Sequence, residues 1–214
     1  MNRRRQQFIS HLASDLTPVA RPGQIGQQAL AWWLVSAAFI IAATSLNSPF
    51  RGGWAHQLLV SPRFLLESLT GVAALGLATV SMFRLGIPGL PRGGLLTVVT
   101  LALAALWIGF SVLGLQAPAL EPSMLGKREY CYLEVITLSV PPVLLAAWSL
   151  RRLVVLNPVT LGAVIALCSS GIVAWTMQFA CMYIPSHALS HHFAPMLLSM
   201  PMGVAIYWFF HKTR

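Results

Sequence analysis

Residues 131–150 read CYLEVITLSVPPVLLAAWSL, with a single charge, Glu134, one turn in from the start. A hydrocarbon core of about 30 Å is crossed by roughly 20 apolar residues in a helix. The stretch is therefore long enough to span a bilayer and too apolar to face water. The pattern repeats in both directions. Runs at approximately 29–46, 64–83, 95–115, 160–180 and 193–210 are of the same kind, and turn-formers separate them: Asn47-Ser48-Pro49, residues 88–94, residues 117–126, Asn157-Pro158 and Pro185. The chain of 214 residues is 57% hydrophobic and 9% charged, against about 25% charged in a soluble domain. The expectation is an all-α polytopic membrane bundle of six transmembrane helices. It comprises a tail, 1–26, and a transmembrane domain, 27–214.

Charge gives the bundle a direction. One side carries ten basic residues (Arg3, Arg4, Arg5, Arg21, Arg84, Arg92, Arg151, Arg152, Lys212, Arg214) and one acid, Asp15. The other carries Arg51, Arg63, Lys127 and Arg128 against Glu67, Glu121, Glu129 and Glu134. Excess Lys and Arg mark the cytoplasmic face, so both termini are expected inside and the net charge of +9 reports topology rather than nucleic-acid binding. The arginines at 3–5 precede a polar stretch, so no cleavable signal peptide is expected. Trp32, Trp33 and Trp208 near span ends suit interfacial anchoring.

In the tail, Phe8, Ile9, Leu12 and Leu16 recur at helical spacing until Pro18. Two occupants fit such an amphipathic segment: a groove on a cytosolic partner or the lipid surface. At the outer ends, Cys131 opens the fourth span and Cys181 closes the fifth. The last outer loop adds Met182, His187, His191 and His192. Thiolate, thioether and imidazole ligands favour Cu(I) or Zn over hard cations. His187 and His191, four apart, would share a helix face. The two thiols could equally form a disulfide in an oxidising compartment, and spacing does not choose between the two chemistries. Cys168 lies mid-span and reads as a packing thiol. Arg63 and Glu67, also four apart, read as a structural ion pair.

Several segments taken together resemble the NrsF-type family of bacterial six-span membrane anti-sigma factors. They are Leu12-Ala-Ser-Asp15-Leu16-Thr-Pro18-Val19, Pro62-Arg63-Phe64-Leu65-Leu66-Glu67, Arg84-Leu-Gly-Ile-Pro88-Gly89, Cys131, Pro141-Pro142, Arg151-Arg152, Pro158, and finally Cys181, Pro185, His187, His192 and Pro195. Before the last histidine, where the family pattern has an aromatic, this chain has His191. The resemblance implies a protein of the bacterial inner membrane that holds an extracytoplasmic-function sigma factor inactive and takes part in a stress response. Cys131 and Cys181 would be the sensors of oxidant or metal. The tail around Leu12, Asp15, Leu16 and Pro18 would be part of the sigma contact. It implies no required cofactor, a soft metal ion (Cu or Zn) only as a possible signal, and no direct nucleic-acid contact; the oligomeric state stays open. The rival classes are a small-molecule or metal-ion transporter, which needs polar groups at the midplane, and a thiol oxidoreductase, which commonly uses a Cys-x-x-Cys pair absent here. With no nucleotide loop, hydrolytic triad or paired-acid site in the sequence, no catalysis is expected.

Overall fold

The computed structural model describes residues 6–7, 10, 25–87, 94–151, 153 and 155–212. The helices in chain order are α1 (Ile25–Asn47), α2 (Trp54–Val60), α3 (Pro62–Leu85), α4 (Leu95–Leu113), α5 (Cys131–Leu150), α6 (Pro158–Ala180), α7 (Pro185–Ala188), a π-helical turn (Leu189–Phe193), α8 (Ala194–Leu198) and α9 (Met200–Lys212). Among the described residues, six helices are long and apolar enough to cross a membrane: α1, α3, α4, α5, α6 and the composite Pro185–Lys212. Leu12, Asp15, Leu16 and Pro18, which the resemblance implies as part of the sigma contact, lie outside the described residues, as does Arg152.

Local chemistry fixes where the spans start. At α3, Ser61 Oγ accepts from the Phe64 amide at 3.3 Å, and Pro62 occupies the first turn. At α6, Asn157 Oδ1 accepts from the Thr160 amide at 3.0 Å, again with a proline following. Both are N-caps with the ring placed where no amide is needed. These caps lie ahead of the apolar runs, so α3 and α6 each begin two residues before the position expected from hydropathy.

α6 is the hub. It is the most buried span and α4 the least, with 67% and 11% of their apolar stretches buried. α6 packs against α1, α3, α5, α8 and α9, whereas α4 leans chiefly on α3. The α6–α9 seam is a close approach of backbones. A Cβ on Gly162 would stand 2.8 Å from the Val204 Cα, so only a residue without a side chain fits there. Polar side chains tie the hub to its neighbours. Trp175 Nε1 donates to Ser68 O at 2.9 Å, and the Ser170 and Ser199 hydroxyls are 2.9 Å apart. In α5, Pro141 and Pro142 interrupt the hydrogen-bond ladder at mid-helix. There Trp32 Nε1 donates to Pro142 O at 3.1 Å.

Three features depart from the sequence reading. Trp32 is no interfacial anchor: α1 starts at Ile25, which carries the indole into the bundle, where it is buried. The first loop contains α2, a helix too short to leave a hydropathy signal. The last span begins at Pro185 rather than 193, so the histidines stand on it and not on a loop before it.

Candidate functional site

Cys131 is the first residue of α5, and Cys181 is the C-cap of α6. The two helices pack side by side and bring the sulfurs to 2.7 Å. Both cysteines are fully buried, not on an exposed rim. From the last span, His187 Nε2 reaches to 3.4 Å from Cys181 Sγ. Donor atoms of Cys131, Cys181, His187 and His192 all lie within 4.8 Å of one another.

The π turn explains which histidines converge. In an α-helix, residues five apart stand about 140° apart around the axis. Here the Ala194 amide donates to Leu189 O, five residues back, and Pro195 has no amide to restore the α ladder. The wider turn carries His192 inward, where it is 2% exposed, with its ring 5.2 Å from that of His187. His192 Nε2 is buried without a hydrogen-bond partner. Such an orphaned buried nitrogen is costly unless something binds it. His191 does stack on His187, with ring centroids 4.2 Å apart, but it points outward and pairs with Ser190 Oγ at 2.8 Å. His191 therefore stands outside the four-residue cluster. Met182 lines an adjoining small cavity together with Glu67, Trp107 and His192.

Two arginines that the sequence presents only as loop charges roof the cluster. Arg51, 1% exposed, donates from Nη1 to Cys181 O at 2.9 Å and from Nη2 to Gln57 Oε1 at 2.7 Å. Its guanidinium also lies over the rings of Tyr183 and Phe64 at 5.6 and 5.9 Å. Burial lowers the pKa of Arg51, but arginine keeps its charge in proteins. Arg128, also buried, donates to the carbonyls of Ala180 (3.3 Å), Thr44 (3.2 Å), Pro49 (3.3 Å) and Ser48. Its Nη1 holds both oxygens of Glu134, which Asn47 also contacts. The last carbonyls of a helix have no partner within it, and the helix dipole there favours a cation. One arginine thus serves the ends of α1 and α6 together. The Cys131 thiol lies 3.4 Å from Arg128 O, so the cysteine and the arginine clamp share a turn. Cys181 is held below the ordinary thiol range, first by the hydrogen bond with Cys131 and then by the imidazoles of His192 and His187, with burial opposing.

Arg63 Nε donates to Glu67 Oε1 at 3.2 Å on the first turns of α3. Cys168 is buried in α6, away from the pair. A soft donor set of two sulfurs and two imidazoles suits Zn or Cu(I), and the orphaned His192 nitrogen fits that reading. Two thiols in contact equally suit disulfide formation.

The fold and site define a six-span membrane protein with a paired-cysteine centre at one end of the bundle. The family model described as NrsF, negative regulator of sigma F, matches residues 12–212, and the chain belongs to that family. It is accordingly a negative regulator of a sigma factor. No curated protein and no solved structure matches the chain.

Proposed function

We propose that this protein sequesters an extracytoplasmic-function sigma factor at the bacterial inner membrane and releases it when an oxidant or a soft metal ion reaches Cys131 and Cys181. The observation that carries this reading is the 2.7 Å contact between two buried sulfurs on adjacent spans, with two histidines from a third span beside them. The excess of basic residues on the opposite side supports cytoplasmic termini. The signal would then be received about 30 Å from the partner.

Two chemistries are open to the cluster. With a hydroperoxide, one thiolate attacks the peroxide oxygen to give a sulfenic acid and an alcohol or water. The second sulfur then displaces water to form the disulfide, so the two thiols together give up two electrons and two protons. With a metal, the cysteine thiols lose their protons, and two sulfurs and the imidazoles of His187 and His192 hold the ion. The disulfide ties the ends of α5 and α6 together, and the metal adds the last span through His187 and His192. Shifting the bound-to-free sigma equilibrium from 99:1 to 1:99 needs about 5.5 kcal/mol of preference for the released state. Structural metal sites bind with about 10–16 kcal/mol, and the shift draws on the part of that energy that differs between the two states.

A transporter reading has less support. The cavity of about 540 Å³ between α3, α4 and α6 has a mainly apolar lining, and the glutamates lie toward the cysteine end of the bundle rather than mid-span. The test is a reporter gene for the partner sigma factor. Cys131→Ser and Cys181→Ser are expected to abolish induction by peroxide and by Cu or Zn salts. Removal of residues 1–20 is expected to leave the reporter permanently on. Normal induction in both serine variants would sink the sensor role, and an unchanged basal level in the truncation would sink the docking role of the tail.

A further inference from the structure

A cavity of about 540 Å³ lies between α3, α4, α6 and α8, far from the cysteine pair. Packed interiors seldom leave voids larger than a water molecule, and volumes of this size are those of ligand sites. Its walls set a few small residues among large apolar ones. Ala74 and Ala78 on α3 and Ala104 on α4 face the space, and Leu101 adds an apolar flank. Trp107 limits it toward the cysteine end, its ring stacked edge-on against Phe193 at 4.9 Å. At the other end stands Arg84, in the last turn of α3, with no ion-pair partner among the described residues.

Length and charge together select the occupant. From Ala74 to Arg84 the helix rises about 15 Å, half of a hydrocarbon core of about 30 Å. The cavity is therefore about one leaflet deep, mainly apolar with the hydroxyls of Ser81, Thr97 and Thr100 in its walls, and cationic at the level of the headgroups. We propose that it holds an acyl chain of an anionic phospholipid, with the phosphate on Arg84. The basic side of the chain is the one expected to face the cytoplasm, and that leaflet presents anionic lipid to arginines. The lipid fills the space that α4 leaves by leaning chiefly on α3, and joins this poorly buried span to the hub. This binding site is independent of the sensor chemistry at Cys131 and Cys181.

The test is native mass spectrometry of the full chain, exchanged in detergent against equal amounts of phosphatidylglycerol and phosphatidylcholine. The wild-type protein is expected to retain phosphatidylglycerol by about fivefold, the preference given by one arginine near a headgroup. Arg84→Gln is expected to bring the ratio to near unity and Arg84→Lys to restore it. Ala78→Phe, which fills the cavity, is expected to lower retention of both lipids; if that variant does not accumulate, Ala104→Phe fills the same space from α4. Equal retention of the two lipids by the wild type would overturn the proposal. So would undiminished retention in a filled variant, or a lipid-free dimer of the chain as the main species.

Discussion

Arg128 Nη1 donates to both carboxylate oxygens of Glu134, at 3.2 and 3.1 Å, across the first turn of α5. Both side chains are buried, and each group needs the other. Removing one partner of such a pair leaves an uncompensated charge and costs about 3–5 kcal/mol, whereas removing both is close to neutral. Arg128→Leu is therefore expected to lower thermal stability in detergent strongly, and the double variant Arg128→Leu, Glu134→Leu to recover part of the loss. The carbonyls of α1 and α6 stay unserved in the double variant, so recovery is incomplete. A double variant no more stable than Arg128→Leu alone would show that the pair contributes nothing beyond the clamp.

Of the three cysteines, two touch and one does not. Cys168→Ser is expected to leave the sigma reporter's induction unchanged, while Cys131→Ser and Cys181→Ser each remove it. Induction lost in Cys168→Ser would move the sensor into the middle of α6.

The π turn separates the two adjacent histidines functionally. In a competition between purified protein and a chelator, His192→Ala is expected to weaken retention of Zn or Cu(I) by at least about tenfold, the scale on which metal sites respond to losing an oriented partner. His191→Ala, changing an outward-facing ring, is expected to have little effect. A larger loss in His191→Ala than in His192→Ala would show that the register in solution is α-helical rather than π.

Access to the sulfurs is gated by size. Both are fully buried, so a bulky maleimide is expected to label Cys131 and Cys181 slowly in the native protein and rapidly after denaturation in detergent. Arg51→Ala removes the donor to Cys181 O and opens the roof. It is expected to raise native labelling of Cys181 severalfold, as read by a mass-tag gel shift. Fast labelling of the wild-type pair would contradict the burial.

The α6–α9 seam tolerates no side chain at Gly162. Gly162→Val is expected to destabilise the protein by about 1–3 kcal/mol or more, as overpacking does when backbone cannot yield. A thermal midpoint unchanged from wild type would mean that the two helices can separate without cost.

The number of spans was legible because hydropathy is a sum over twenty residues, and no local irregularity can hide it. The cysteines were legible as a pair because each stands at the end of a span and adjacent spans usually touch. What stayed hidden depends on single residues acting across the fold. The π turn is a one-residue change of register with no periodic signature, so spacing put His191 on the face of His187, and only the family pattern, with its aromatic at that position, set His192 apart. Arg51 and Arg128 read as loop charges because nothing in their neighbours announces that helix-end carbonyls from α1 and α6 converge on them. α2 is seven residues long, below the length at which periodicity speaks.

Arg128 takes the carbonyl oxygens of Thr44, Ser48, Pro49 and Ala180, and Arg51 takes that of Cys181. A main-chain oxygen is the same whichever residue bears it. The amino acids at 44, 48 and 180 can therefore drift without loosening the roof, and a search for co-varying positions would find two arginines with few correlated partners. A single inserted or deleted residue between Asn47 and Trp54 would undo the roof at once, because the arginines recognise the path of the chain and not its letters.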